Sequence, residues 1–86
     1  MPVISMFFGI VVRMYYREHG PAHFHAEYAG SDAVFALDGT MVRGRLGSVR
    51  ATRLVRLWAG RHRDQLEENW RRAAAGEPLQ SISPLE

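Results

Sequence analysis

Ile10-Val-Val-Arg-Met-Tyr-Tyr-Arg-Glu-His-Gly-Pro-Ala-His-Phe-His-Ala-Glu-Tyr28 alternates, turns and alternates again, and that rhythm decides the fold. Successive residues of a strand point to opposite faces. In a strand over 10–16, Ile10, Val12, Met14 and Tyr16 would therefore share one face, with Val11, Arg13, Tyr15 and Arg17 on the other. Residues 18–22 carry His19, Gly20 and Pro21; proline fixes φ and lacks the N–H of a central strand, so this is a turn. The next strand, His23 to Tyr28, points Phe24, Ala26 and Tyr28 one way and His23, His25 and Glu27 the other. One face is apolar and the other carries histidine, arginine and glutamate.

The flanking sequence extends this pair in both directions. Val3 to Phe7 is a short apolar strand joined through the two-residue turn Phe8-Gly9. Downstream, Ala29-Gly30-Ser31 turns the chain, Ala33 to Leu37 is a further strand, and Asp38-Gly39 turns it again. Met41 to Leu46 reads as a short edge strand with Val42 and Leu46 inward and Arg43 and Arg45 outward. Ser48 then caps a helix. From there to Ala75, residues Ala51, Leu54, Val55, Trp58, Ala59, His62, Leu66, Trp70 and Ala73 form one apolar stripe at helical spacing. One long helix is the expectation, with a kink or break near 60–63, beside Gly60, as the alternative. Glu67 with Arg71 and Glu68 with Arg72 are favourably ordered i, i+4 pairs. Gly76 and Pro78 stop the helix, and Leu79, Ile82 or Leu85 would pin an extended tail. The expected fold is α+β: a single domain over residues 1–86, with an antiparallel β-meander of four or five short strands and one long C-terminal helix packed on one face.

Composition bounds the chemistry. At 86 residues and 47% hydrophobic content the chain suits one small core, and without cysteine it has no disulfide, zinc-thiolate or thiol chemistry. The apolar opening Met-Pro-Val-Ile-Ser-Met-Phe-Phe has no charged leader or cleavage pattern, so neither a signal peptide nor a membrane span is expected, and a reducing cytoplasm is the expected setting. All eleven basic residues are Arg. From Arg43 to Arg72, nine arginines stand against Asp64, Glu67 and Glu68, a balance of +6, while the remaining two arginines stand against six acids. A basic half suggests an anionic partner, nucleic acid or an acidic protein.

Three of the four histidines, His19, His23 and His25, fall within seven positions. Histidine transfers protons near neutrality, binds anions when charged and ligates metals when neutral. The leading reading is catalytic: one imidazole removes the 2′-hydroxyl proton of RNA and another protonates the leaving oxygen. Arg13, Tyr15, Arg43 and Arg45 would bind the phosphate, Glu27 would support the histidines, and no cofactor is needed. Such a site would make the protein a metal-independent ribonuclease. The second reading is zinc or another divalent metal held by His19, His23, His25 and Glu27, although the spacing is not the helical i, i+4 of zinc proteases. The structural alternative has the histidines bonded to loop backbone and stacked on Tyr15 or Tyr28. His62, inside the apolar stripe, reads as a half-buried core residue, and Trp58 and Trp70 as packing residues whose indole N–H groups need acceptors.

The segment His19 to Ala26, HGPAHFHA, preceded by Gly9-Ile-Val-Val-Arg-Met-Tyr-Tyr and followed by Arg61-His-Arg-Asp-Gln-Leu-Glu-Glu-Asn-Trp70, resembles domain of unknown function 4160 over nearly the whole chain. The resemblance implies a small bacterial cytoplasmic domain, of a kind considered a component of toxin–antitoxin-like gene pairs, with no activity attached. The functional expectation is therefore an RNA-directed component of such a pair, acting through the His/Arg face. The rival is a non-enzymatic module, antitoxin- or regulator-like, whose basic helix meets a cognate acidic protein or DNA. One helix covers one face of the sheet, so the histidine face either binds a partner or is buried in a homodimer.

Overall fold

The computed structural model describes residues 2–86; Met1, the first residue of the apolar opening, lies outside them. Five strands, β1 (Val3–Phe7), β2 (Ile10–Arg13), β3 (His23–Tyr28), β4 (Ser31–Ala36) and β5 (Met41–Gly44), form an antiparallel meander in chain order. Two of its hairpins turn on residue pairs with positive φ, Phe8 (49°) with Gly9 (80°) and Ala29 (51°) with Gly30 (83°). That backbone twist matches the twist of the strands it joins. The apolar face carries Phe7, Ile10, Val12, Phe24, Ala26 and Phe35, all buried. No helix among the described residues is long and apolar enough to cross a membrane.

Two helices cover that apolar face, α1 (Val49–Arg61) and α2 (Arg63–Ala75), where one long helix was expected. A straight helix over 49–75 would be about 40 Å long at 1.5 Å per residue. The whole molecule extends only 33 Å along its longest axis, so an unbroken helix would overrun the sheet. The break falls at His62 (φ −127°, ψ 29°), which ends α1 by donating its N–H to the Ala59 carbonyl and begins α2 by accepting from Leu66 N. Both halves then reach the core, α1 through Ala51, Val55, Trp58 and Ala59 and α2 through Leu66, Asn69 and Ala73. Ser48 caps α1 as expected, its Oγ accepting from Ala51 N at 3.0 Å. The surface pairs rearrange: Glu68 takes both Arg71 and Arg72, and Glu67 pairs with Arg63 in place of Arg71.

The tail is held by all three apolar residues expected to pin it, with Ile82 and Leu85 buried and Leu79 against the core. Polar bonds fix its register. Fully buried Asn69 both donates to the Gln80 carbonyl and accepts from Gln80 N, each at 2.9 Å, and Trp58 Nε1 donates to the Ser83 carbonyl at 2.9 Å. His62 is half-buried beside Trp58, with its Nδ1 2.9 Å from Gln65 Oε1.

Strand ends account for the other differences. β2 stops at Arg13; Met14 N donates to the Pro2 carbonyl and Arg17 N to the Ala73 carbonyl, so residues 14–17 leave the sheet toward α2. Tyr16 consequently loses the alternation and is exposed. In β5 the register slips, Phe35 facing Met41 and Val34 facing Arg43, which leaves Val42 as the extra residue. It is 59% exposed rather than inward, whereas Leu46 is buried as expected. Gly44 ends the strand with φ 77°, and a Cβ there would lie 2.7 Å from the Asp32 carbonyl oxygen. Only glycine allows β5 to approach β4 this closely while the chain turns toward α1.

Candidate metal centre

The open face of the sheet is organised by cross-strand rows. Arg13 pairs with His25, His25 with Val34 and Val34 with Arg43, so these four residues from four strands lie side by side. Directly paired residues share a face, and the phase expected from the sequence holds across the hairpin. Arg13 Nη1 donates to Glu27 Oε1 at 2.6 Å, and the Tyr15 ring meets His25 edge-on at 4.6 Å. His23 and His25 point away from the core that contains Trp58, with ring centroids 5.3 Å apart.

The group that ties the histidines together is Glu18. Its Oε1 lies 2.8 Å from His25 Nε2 and 3.1 Å from His23 Nε2. The excursion of residues 14–17 toward α2 returns Glu18 over the start of β3. Nothing in strand alternation places it there, because it belongs to a loop. The usable signal was composition: it is the only acidic residue between Arg13 and His23. Glu27, the carboxylate expected beside the histidines, is instead occupied by Arg13.

His23 is oriented on its other side by the turn. Its Nδ1 lies 2.9 Å from the Pro21 carbonyl, which only accepts, so Nδ1 carries the proton in that bond. Nε2 is then either a second N–H bonded to the carboxylate or a free lone pair facing it. The Trp70 ring of α2 packs 5.1 Å from the His23 ring and limits its rotation. Burial opposes ionisation of Glu18, but hydrogen bonds and charge from His25, then charge and a hydrogen bond from His23, outweigh it. Its carboxyl titrates below the ordinary value. The side chains of His23, His25 and Glu18 are 15%, 28% and 31% exposed, partly desolvated yet reachable.

These three residues open into a cleft of about 450 Å³ whose walls also include His19, Val34 and Arg43. His19 is exposed at the rim and lies outside the three-residue cluster. Arg43 has no ion pair among the described residues and faces the same space. Arg45, expected beside it, lies past Gly44 and lines a different groove against α1. The phosphate-binding set expected from sequence thus separates: Arg43 reaches the cleft, Arg13 is engaged by Glu27, and Arg45 is elsewhere.

One nitrogen or oxygen from each of Glu18, His23 and His25 lies within 4.8 Å of the others. A tetrahedral ion bound about 2.1 Å from imidazole nitrogen and carboxylate oxygen holds neighbouring donors about 3.4 Å apart. The observed 2.8 and 3.1 Å are hydrogen-bond distances, a few tenths of an ångström shorter, so the donors would separate slightly around an ion, and the Nδ1 bond to Pro21 leaves Nε2 as the ligating atom of His23.

The chain matches no curated protein, and no solved structure matches it. A family model described as Domain of unknown function (DUF4160) matches residues 9–71, which include Glu18, both strand histidines, β2 to β5, α1 and most of α2. With that match over most of its length, the chain belongs to the DUF4160 family.

Proposed function

We propose that this domain binds a first-row divalent metal ion through Glu18, His23 and His25 and presents it to an anionic ligand in the adjoining cleft. The convergence of two Nε2 atoms on one carboxylate oxygen, at 2.8 and 3.1 Å, carries the reading. Two imidazoles and a carboxylate suit zinc, iron, nickel or manganese and leave coordination positions open. Arg43 on the cleft wall supplies a cation for an anion bound at such a position. Metal content of tag-free protein is the direct test: stoichiometric zinc, nickel, iron or manganese in the wild type, lost in His25→Ala, is expected. Metal-free protein that takes up none of these ions on titration would refute it.

The second reading is the RNA-directed component of a toxin–antitoxin-like pair, with His23 and His25 exchanging protons and Arg43 holding a phosphate. Its specific support is the unpaired Arg43 guanidinium in the cleft shared with all three histidines. What favours the metal reading over it is the carboxylate oxygen within 3.1 Å of both Nε2 atoms, a third donor that an acid–base pair of histidines does not require. Phosphate contacts release counterions, so binding of a labelled single strand should fall steeply with salt. An absence of binding at low salt removes this reading, and EDTA sensitivity of any RNA cleavage assigns the chemistry to the metal.

A further inference from the structure

A groove between β5 and the beginning of α1 is separate from the histidine cleft and has a different character. It encloses about 720 Å³. Met41, Val49 and Leu57 line it and are 38%, 77% and 48% exposed. Arg45, Arg53 and Arg56 line it too, and among the described residues none of the three has a carboxylate within ion-pair distance. The one acid there, Asp38, is turned onto its own loop, accepting from Thr40 N at 2.9 Å. From Gly39 through Arg63 the chain has seven arginines and no Asp or Glu. The first turn of α1 also lacks an acid, so the positive end of its helix dipole adds to the charge at Val49. β5 is an outer strand, with one backbone edge free.

We infer that this groove docks an acidic, amphipathic segment of a partner protein, with apolar side chains on Met41, Val49 and Leu57 and carboxylates against Arg45, Arg53 and Arg56. Exposed aliphatic surface ringed by unpaired guanidinium groups is complementary to such a segment. Single-stranded nucleic acid is the weaker fit: it stacks bases on aromatic side chains, and no aromatic residue lines the groove. A second copy of the chain is also weaker, because Glu18, Glu27, Glu67, Glu68 and Glu77 are already paired internally and the remaining acids, Asp32, Asp38, Asp64 and Glu86, are scattered along the chain rather than gathered in one segment.

Selection of short random peptides displayed on phage against the immobilised wild-type chain tests this directly. Enriched peptides should combine apolar and acidic residues. Their binding should fall roughly tenfold or more on Leu57→Glu and on Arg53→Glu, as when one anchor of a small interface is reversed. Both positions are exposed, and circular dichroism melts identify a variant that has lost its fold. No enrichment, enrichment of basic peptides, or equal binding to folded variants would overturn the inference. A labelled single-stranded RNA that binds the groove more tightly than any peptide would overturn it, as would a dimer abolished by Leu57→Glu.

Discussion

Replacing Glu18 by Gln keeps the shape of the side chain and removes its charge, which separates the structural from the metal-binding role of the carboxylate. In the wild type Oε1 faces two Nε2 atoms at 2.8 and 3.1 Å. Hydrogen bonds to a charged group contribute about 1.5–3 kcal/mol and neutral ones about 0.5–1.5. The carboxylate is 31% exposed, so solvent screening discounts that difference. A net loss of about 1 kcal/mol follows, equivalent to roughly 4–8 °C in Tm for a domain of this size. Added metal should change the comparison. An ion present at a hundredfold excess over its Kd stabilises the folded chain by about 2.7 kcal/mol, enough to raise the wild-type melt by more than the mutation lowers it. Thermal melts of both proteins, with zinc or nickel and with EDTA, provide the assay near neutral pH. Wild type should gain stability with metal and lose the gain with EDTA, and Glu18→Gln should gain far less. Equal metal-induced shifts in the two proteins would refute the assignment of Glu18 as a ligand.

The same carboxyl makes a pH prediction. Because Glu18 titrates below its ordinary value of 4.5 when folded, the unfolded chain takes up the proton first as pH falls. Its stabilising contribution is therefore present above that value and lost as pH falls through the lower folded one, so the metal-free gap between wild type and Glu18→Gln should close in acid; a gap that widens there contradicts the shift. Trp58→Ala should cost about 3–5 kcal/mol, the usual loss for a buried aromatic, because it removes ring contacts with Phe7 and Phe24 and the bond to Ser83. A urea melt showing a loss within about 0.5 kcal/mol, the range of surface changes, would mean the core is not centred there. Gly44→Ala should destabilise by roughly 1–3 kcal/mol, the strain of a positive φ held by a non-glycine residue, increased by the clash with the Asp32 carbonyl oxygen; an unchanged melt would show that β5 can draw away from β4.

Where function follows from strand alternation, the sequence alone was sufficient. The period of two put Arg13, His23, His25 and Glu27 on one face and Phe24 and Ala26 on the other, because side-chain direction in a strand depends on position rather than on distant contacts. Local chemistry also located the turns at Phe8-Gly9 and Ala29-Gly30 and the cap at Ser48. Tertiary structure alone decided the rest. Between one long helix and a break near 60–63, both open in the sequence, packing selects the break at His62, which lets both halves reach the core. Val42 turns outward and Arg45 leaves the site because a bulge and the close approach at Gly44 reset the alternation of β5. Glu18 meets the histidines because contacts with α2 fold its loop back over β3. A loop has no period from which such a meeting can be read, so the third donor of the candidate metal centre emerges only when the chain is folded.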